Sequence, residues 1–450
     1  MRGGGFRWSA APRRRRGRPE AREIAPLGLG PADAPRPPSF EVVPPLSPRD
    51  EVVFLLHTAA EVEHSLLVQY LYAWMSASHD WPEGAGTIRT IAIQEMAHLA
   101  TVQNVLRALS APLNFDREDY PFRGDFYPFP FALEPVSSAS LARYVVAEMP
   151  ETPDWTDAER DAVYADAKVG TSVDMFNRVG ALYAGLIDRI ARLSADEFLP
   201  PSKDRQADES WARFDPSNLV AVIDSRLAAI DALTAIARQG EGLSGATSDP
   251  TSHFAQFLDL WRARKQAGSP APVGPFPSHP STGASKLKDA SLEQGRITAD
   301  RALAWARLSN HRYRMLLAAL ACHLEADPAE TIATTGAPTP TRGILFDFAF
   351  DLMFELGGLA AVLSTLPLKV GDPDTGPKAG PPFELPYTLA VPDTALGRWR
   401  LQRDLVATST LLVGAARKLE PTGSPHLGVL QAIDDADAAR VRDYLQFDPS

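Results

Sequence analysis

Apolar residues recur every three or four positions along long stretches of this chain, and the pattern predicts helices almost throughout. Leu55, Ala59, Leu66, Tyr70 and Ala73 share one face of a helix expected over 49–76. Further helices are expected over 87–109, 158–193 and 218–240, the last stopped by Gly240 and Gly242. Beyond a proline- and serine-rich stretch at 268–283 the same periodicity returns over 298–325, 343–366 and 394–419. No run alternates with the period of two that marks a convincing strand. The chain therefore reads as all-α, with no fixed-period repeat.

The second and third expected helices are separated by a segment, Pro112 to Pro153, that reads as irregular. It holds Tyr120-Pro121-Phe122 and Phe126-Tyr127-Pro128-Phe129-Pro130-Phe131. Aromatics packed beside prolines are a poor composition for a solvated linker, and loops this long are usually functional or crossing. A long crossover at this point is what a ferritin-like four-helix bundle needs, so the segment is expected to pack on such a bundle and roof a pocket. The organisation expected is an irregular Arg/Pro-rich arm at 1–47, the bundle at 48–265, a Pro/Ser-rich linker at 266–296 and a C-terminal helical module at 297–450.

Composition narrows the function classes. The chain has 450 residues, 45% of them hydrophobic, and a formal charge of −11, which argues against global disorder and against nucleic acid as the main partner. Residues 1–23 depart from this, with eight arginines against Glu20 and Glu23, so the remaining chain carries −17. No apolar stretch follows the arginines, so a secretory signal is not expected here. A disordered arm, or a start codon placed too early, accounts for them, with a tether to nucleic acid or membrane as the lesser reading. The most apolar helix, Ile344 to Leu368, is broken by Asp347, Asp351 and Glu355 and is not a membrane span. One cysteine, Cys322, excludes an internal disulfide, and a cytoplasmic location is the simplest expectation.

Chemistry concentrates in the first two helices. Glu95 and His98 stand at i and i+3 and project from one face, which also carries Ile91, Val102 and Leu106. A carboxylate and an imidazole in an apolar stripe are costly to bury unless they are paired or bind a metal. In the first helix Glu63 and Tyr70 are two turns apart and share a face with Ala59 and Leu66. Glu61 is expected at the bundle edge or in solvent. A carboxylate helix followed by a Glu-x-x-His helix is half of a di-iron pattern. Hard carboxylates with imidazoles and no thiolates suit iron, with manganese as the alternative. At the end of the fourth helix, Gln239-Gly240-Glu241-Gly242 precedes Ser252-His253-Phe254. Glu241 and His253 converge only if the loop turns back and Ser252 caps a helix opened by His253.

These stretches occur in a recognisable order: Glu61 to Tyr72, Ile91 to Leu99 with Val102-Gln103-Asn104, Tyr127 to Phe131, and Gln239-Gly240-Glu241-Gly242 with Ser252-His253-Phe254. Together they resemble the ferritin-like domain family typified by iminophenyl-pyruvate dimer synthase of violacein biosynthesis. The match covers about 48–265, and Ala379-Gly380-Pro381-Pro382-Phe383 extends it. The resemblance implies Glu63, Glu95, His98, Glu241 and His253 as metal ligands for one or two iron ions, with Tyr70 as a catalytic candidate. It implies a non-haem iron oxidase or oxygenase acting with dioxygen on a small amino-acid-derived substrate in specialised metabolism, as a homo-oligomer or a single chain.

One position departs from the family. A glutamate is expected in the third helix where this chain has Ala181 in Val179-Gly180-Ala181-Leu182-Tyr183. Asp174, on the same face, and Glu355, from the C-terminal module, are the candidate substitutes. Structural readings stand beside the functional ones. Glu95 with His98 also reads as a hydrogen-bonded pair and Glu63 as a partner of Arg178, with metal binding the favoured reading of these three; Tyr70 reads more readily as core, and His253 reads as well as part of a cap. His64 is expected to face a neighbouring helix, Cys322 to be core, and Asp347, Asp351 and Glu355 to form a solvated or arginine-paired stripe. The competing function is a non-catalytic bundle, a binding or scaffold protein with a degenerate site. Iron storage fits poorly, because the C-terminal module is ill suited to a closed cage.

Overall fold

The computed structural model describes residues 20–24, 39–43, 45–77, 81–117, 131–151, 153–169, 178–212, 217–241, 249–266, 276–283, 293–334, 337–373, 375–385 and 388–449. Within the stretch expected to be irregular, strands β1 (Glu20–Ile24) and β2 (Ser39–Val43) pair antiparallel, with Glu20 opposite Val43. The rest of the described chain is dominated by helices, as the periodicity predicts.

Helix α1 (Pro48–Ser76) starts where Ser47 accepts the Asp50 amide (3.2 Å), with Pro48, Asp50 and Glu51 in its first turn. It packs along α2 (Pro82–Ala108). The segment expected to be irregular contains a further helix, α3 (Ser138–Glu148), opened by a reciprocal cap between Ser137 and Ser140. The expected third helix is two helices, α4 (Asp157–Ala167) and α5 (Val179–Arg192). Helix α6 (Arg226–Glu241) packs on α5. Helix α7 (His253–Gln266) packs on α3, and Ser252 caps it by accepting the Ala255 amide (3.2 Å). The α1/α2 pair is thus flanked by α3/α7 and by α5/α6, and the three pairs converge at mid-length of α1 and α2.

The C-terminal module is built from α8 (Asp300–Glu325), α9 (Thr341–Leu363), α10 (Ala395–Leu419) and α11 (His426–Arg440), with a two-residue strand pair, β3 (Thr331–Ile332) and β4 (Thr339–Pro340), before α9. Helix α11 and a final π turn over Val441–Leu445 lie beyond the expected elements. Arg312 of α8, fully buried, binds Asp437 of α11 and Glu355 of α9, both at 2.8 Å. Arg440 binds the same two acids (2.8 and 3.0 Å) and lies 3.8 Å from Asp351. Glu355 is therefore committed inside the C-terminal module and does not reach the bundle site.

The module docks on the outer face of α1. Tyr313 of α8 is hydrogen-bonded to His64, and Arg117 reaches Tyr313 and the Phe383 carbonyl. A side chain at Gly380 would meet the Tyr72 hydroxyl at 2.6 Å, so this close approach needs glycine. With bundle on one side and module on the other, α1 has no solvent face at mid-length. Glu61, expected at an edge, is only 5% exposed and accepts from Asn114 Nδ2 (3.2 Å). Cys322 is core, its thiol pushed up to about 12 by burial. Among the described residues no helix is long and apolar enough to cross a membrane.

Candidate metal centre

The buried stripe of α2 sets the site. Glu95 and His98 sit one turn apart with Oε2 and Nδ1 at 2.9 Å, each at most 2% exposed. From α1, Glu63 Oε2 approaches the same His98 nitrogen at 3.4 Å. From α7, His253 places Nδ1 at 2.9 Å from the other oxygen of Glu95. Glu148, the last residue of α3, brings Oε2 to 3.8 Å from that nitrogen. Two trios result, Glu63–Glu95–His98 and Glu95–Glu148–His253, each with its ligand atoms within 4.8 Å of one another, and Glu95 belongs to both.

Several of these atoms are orphans. Glu63 Oε2, Glu95 Oε1, His253 Nδ1 and Glu241 Oε1 are buried with no hydrogen-bond partner. Leaving such groups unsatisfied costs about 1–3 kcal/mol each, more when charged. Separations near 3 Å between unpaired oxygen and nitrogen atoms are what two ligands on one ion, each bonded at about 2.0–2.2 Å, would show. The donor set thus fits a metal. A cavity of about 10 Å³, the size of one water or ion, lies between Glu63, Glu95, His98, Glu148, Gly180 and Glu241.

The electrostatics agree. Burial, with Glu95 adding repulsion, pushes Glu63 up to about 8, and the same two causes lift Glu148 well above the usual carboxylate range. Burial acts upward on Glu95 as well, but the His253 and His98 imidazoles outweigh it and hold Glu95 below its usual value. Burial would lower His98, yet Glu95 and Glu63 raise it, whereas His253 stays lowered by burial. Burial and mutual repulsion thus oppose ionisation of Glu63 and Glu148 beside Glu95, and a bound cation would favour it. Two tyrosines orient the acids from outside. Tyr183 of α5 donates to Glu63 Oε1, and Tyr70 donates to Glu148 Oε1 (2.6 Å) while packing edge-on against Tyr144 (4.7 Å).

Glu241, from the last turn of α6, lines the same cavity but stands outside both trios. Its carboxylate lies over the Gly180 backbone, where a Cβ would approach within 1.9 Å, and Arg178 is 3.7 Å away. Burial pushes it up to about 7. Arg178 thus partners Glu241, while Glu63 faces His98 and Tyr183. Ala181 brings no acid to the centre, and the further carboxylate beside Glu95 and His253 is that of Glu148, which the sequence reading did not single out. Its signal was present, since Leu141, Tyr144, Val145 and Glu148 fall at i, i+3, i+4 and i+7, but only a helix makes it a face. Asp174 lies outside the described residues, as does most of the aromatic segment Tyr120 to Phe131. Phe131 itself is buried beneath the Arg117 guanidinium, 4.4 Å from its ring centre.

The helical bundle that encloses these trios has counterparts among known proteins. The family model for ferritin-like proteins matches residues 56–262, and this part of the chain therefore resembles that family. Dichlorochromopyrrolate synthase of Lentzea aerocolonigenes is 25% identical over 396 residues, covering 76% of this chain and 36% of the relative. The 2-imino-3-(indol-3-yl)propanoate dimerase of Chromobacterium violaceum is 27% identical over 414 residues, covering 82% of this chain and 37% of the relative. The chain thus spans little more than a third of the length of these two biosynthetic enzymes. A ferritin-like protein from Caulobacter vibrioides aligns structurally over 70% of this chain and 94% of its own, at 18% identity and a TM-score of 0.41.

Proposed function

We propose that the chain is a non-haem iron enzyme of specialised metabolism that oxidises or couples a small amino-acid-derived substrate, in the manner of the imino-acid dimerase it resembles. The observation that carries this reading is the set of orphaned buried atoms on Glu63, Glu95 and His253 around one cavity. Glu63, Glu95 and His98 would hold one ion and Glu95, Glu148 and His253 a second, with manganese as the alternative metal. Joining two 2-imino acids through a carbon–carbon bond releases two electrons and two protons, and bound iron supplies the route for those electrons to dioxygen.

The protein residues have distinct tasks in this reading. The buried walls of α1, α2, α3 and α7 exclude bulk water from the reacting centre. Tyr183 and Tyr70 fix the carboxylates of Glu63 and Glu148, so Tyr70 acts through Glu148 rather than on substrate. Glu241, near neutrality at the cavity wall, takes up and returns a proton at Oε1, which has no hydrogen bond and lies 3.7 Å from Arg178. The inner cavity is too small for an organic molecule. An outer cavity of about 440 Å³, walled by Leu219, Asp231, Arg238, Gln239 and Asp249, has the size for one. Arg238 there offers a cation for a substrate carboxylate.

The test is iron content and dioxygen uptake. Protein produced in iron-replete medium should carry iron and consume dioxygen faster when a 2-imino acid is generated in situ. The Glu95→Ala/His98→Ala double variant should stay folded and do neither. Iron-free wild-type protein would point to the other reading, a scaffold with a degenerate site. The juxtaposition of Glu148 with His253 speaks against that scaffold reading, because it brings a further carboxylate to the centre.

A further inference from the structure

Each histidine of the centre has a second nitrogen, and each of these meets a glutamine. His98 Nε2 lies 2.8 Å from Gln239 Oε1, and His253 Nε2 lies 3.0 Å from Gln94 Oε1. Both glutamines in turn reach one residue, Ser217. Gln239 Nε2 donates to the Ser217 carbonyl (3.0 Å), and Gln94 Nε2 donates to the Ser217 hydroxyl (2.7 Å). Gln94 comes from α2, Gln239 from α6 and Ser217 from the segment before α6, so three separate parts of the chain close one bracket around the two imidazoles.

Acceptor chemistry gives the bracket a direction. A backbone carbonyl only accepts, so the Gln239 atom facing Ser217 must be the amide nitrogen, and the atom facing His98 must be the amide oxygen. That oxygen in turn only accepts, so His98 must carry a proton on Nε2. Its Nδ1 lies on the carboxylate side, hydrogen-bonded to Glu95 Oε2 (2.9 Å) and 3.4 Å from Glu63, and is the nitrogen a metal would take in exchange for the proton of that hydrogen bond. On the other side Gln94 Nε2 donates to the Ser217 hydroxyl, which turns Gln94 Oε1 to His253 Nε2 as an acceptor and leaves His253 Nδ1 facing Glu95 Oε1 at 2.9 Å. A ring whose far nitrogen is tied in this way is held in one tautomer and one orientation, which raises its quality as a ligand.

We propose that Ser217, Gln94 and Gln239 form a tautomer clamp, three positioning residues that fix His98 and His253 with protonated Nε2 and present both Nδ1 atoms as the metal-binding nitrogens. The proposal rests on the reading of the centre as a metal site and adds which imidazole atom binds and what holds it there. The clamp is asymmetric. The His98 half runs through a main-chain carbonyl that no side-chain substitution at 217 removes, whereas the His253 half runs through the Ser217 hydroxyl. Ser217→Ala should therefore loosen His253 and leave His98 held, while Gln239→Leu should free His98.

The experiment is long-range proton–nitrogen correlation NMR on the full chain with isotope-labelled histidine, metal-free and loaded with zinc(II) as a diamagnetic probe, together with zinc(II) titration. In the zinc-loaded wild type, His98 and His253 should both carry a proton on Nε2 and none on Nδ1. Gln239→Leu and Gln94→Leu should each weaken zinc binding about 10–100-fold, with the metal-free variants retaining wild-type circular dichroism. A proton on Nδ1 of either loaded histidine, or unchanged zinc affinity in both folded variants, would overturn the clamp. If the wild type binds no zinc, the metal reading fails separately. The metal-free spectrum then decides the clamp through His253, for which Nε2–H supports it and Nδ1–H overturns it.

Discussion

Glu95 Oε1 and His253 Nδ1 approach to 2.9 Å inside the bundle, yet neither atom has a hydrogen-bond partner. Two lone-pair atoms brought this close from α2 and α7 repel unless a cation or a proton lies between them. Because Glu95 also meets His98 through its other oxygen, one carboxylate serves both halves of the centre. The arrangement therefore makes unequal demands on its members, and substitutions can separate them.

Metal stoichiometry should follow that inequality. Glu95→Ala should abolish binding of both ions, since both trios lose a member. Glu148→Ala or His253→Ala should leave about one ion per chain, held by Glu63, Glu95 and His98. Elemental analysis of the purified variants reads this directly. Equal loss in all three would mean that the ions bind only as a pair, and equal retention would remove Glu95 from its shared role.

Binding should also stabilise the bundle, because the metal-free centre buries Glu63, Glu95 and Glu148 together. An ion at a hundred times its dissociation constant adds about 2.7 kcal/mol to unfolding if only the folded state binds it. Thermal unfolding with manganese(II), reversed by chelator, measures the effect. The Glu95→Ala/His98→Ala protein should show no such shift.

The docking of the C-terminal module on α1 predicts a stability defect with no metal defect. Gly380→Ala would drive a methyl to 2.6 Å from the Tyr72 hydroxyl, itself fully buried and bonded to the Pro277 carbonyl (2.5 Å). Overpacking of this kind costs about 1–3 kcal/mol. Urea midpoints should fall while metal content stays at the wild-type value. A fall in metal content would instead show that the module shapes the centre through α1.

Acid sensitivity should arise partly from His323, far from the centre. It is buried against Trp211 and Phe346, bonds the Arg342 carbonyl (2.9 Å), and is held by burial down to about 3. Unfolded, it would protonate below about 6.5. A histidine depressed in the folded state contributes stability that is intact above 6.5 and is lost as pH falls toward 3, by about 1.4 kcal/mol per pH unit. His323→Gln, which keeps a donor for the carbonyl, should flatten the stability curve by that slope between pH 6 and 4. An identical slope in the variant would mean that His323 does not change protonation on unfolding.

How far these features could be read from residue order varies with the kind of signal. Glu63, Glu95 and His98 were legible because an acid or imidazole in an apolar stripe contradicts the stripe, and His253 because Ser252 announces a helix start. Glu148 was hidden by its surroundings. Prolines and aromatics on the N-terminal side of an eleven-residue helix made the whole crossover read as irregular. Glu61 was misplaced because periodicity describes one face of a helix, while α1 is covered on two. The glutamines at 94 and 239 lie in stretches that carry the resemblance, but their role was not legible, since an amide on a helix looks the same whether it meets water or a histidine.

Anomalous diffraction from crystals soaked in manganese(II) tests the central claim most directly. Two peaks are expected, one among Glu63, Glu95 and His98 and one among Glu95, Glu148 and His253, with a Glu95 oxygen facing each. Crystals with full manganese in the soak and no peak at either position would contradict a metal centre in this bundle.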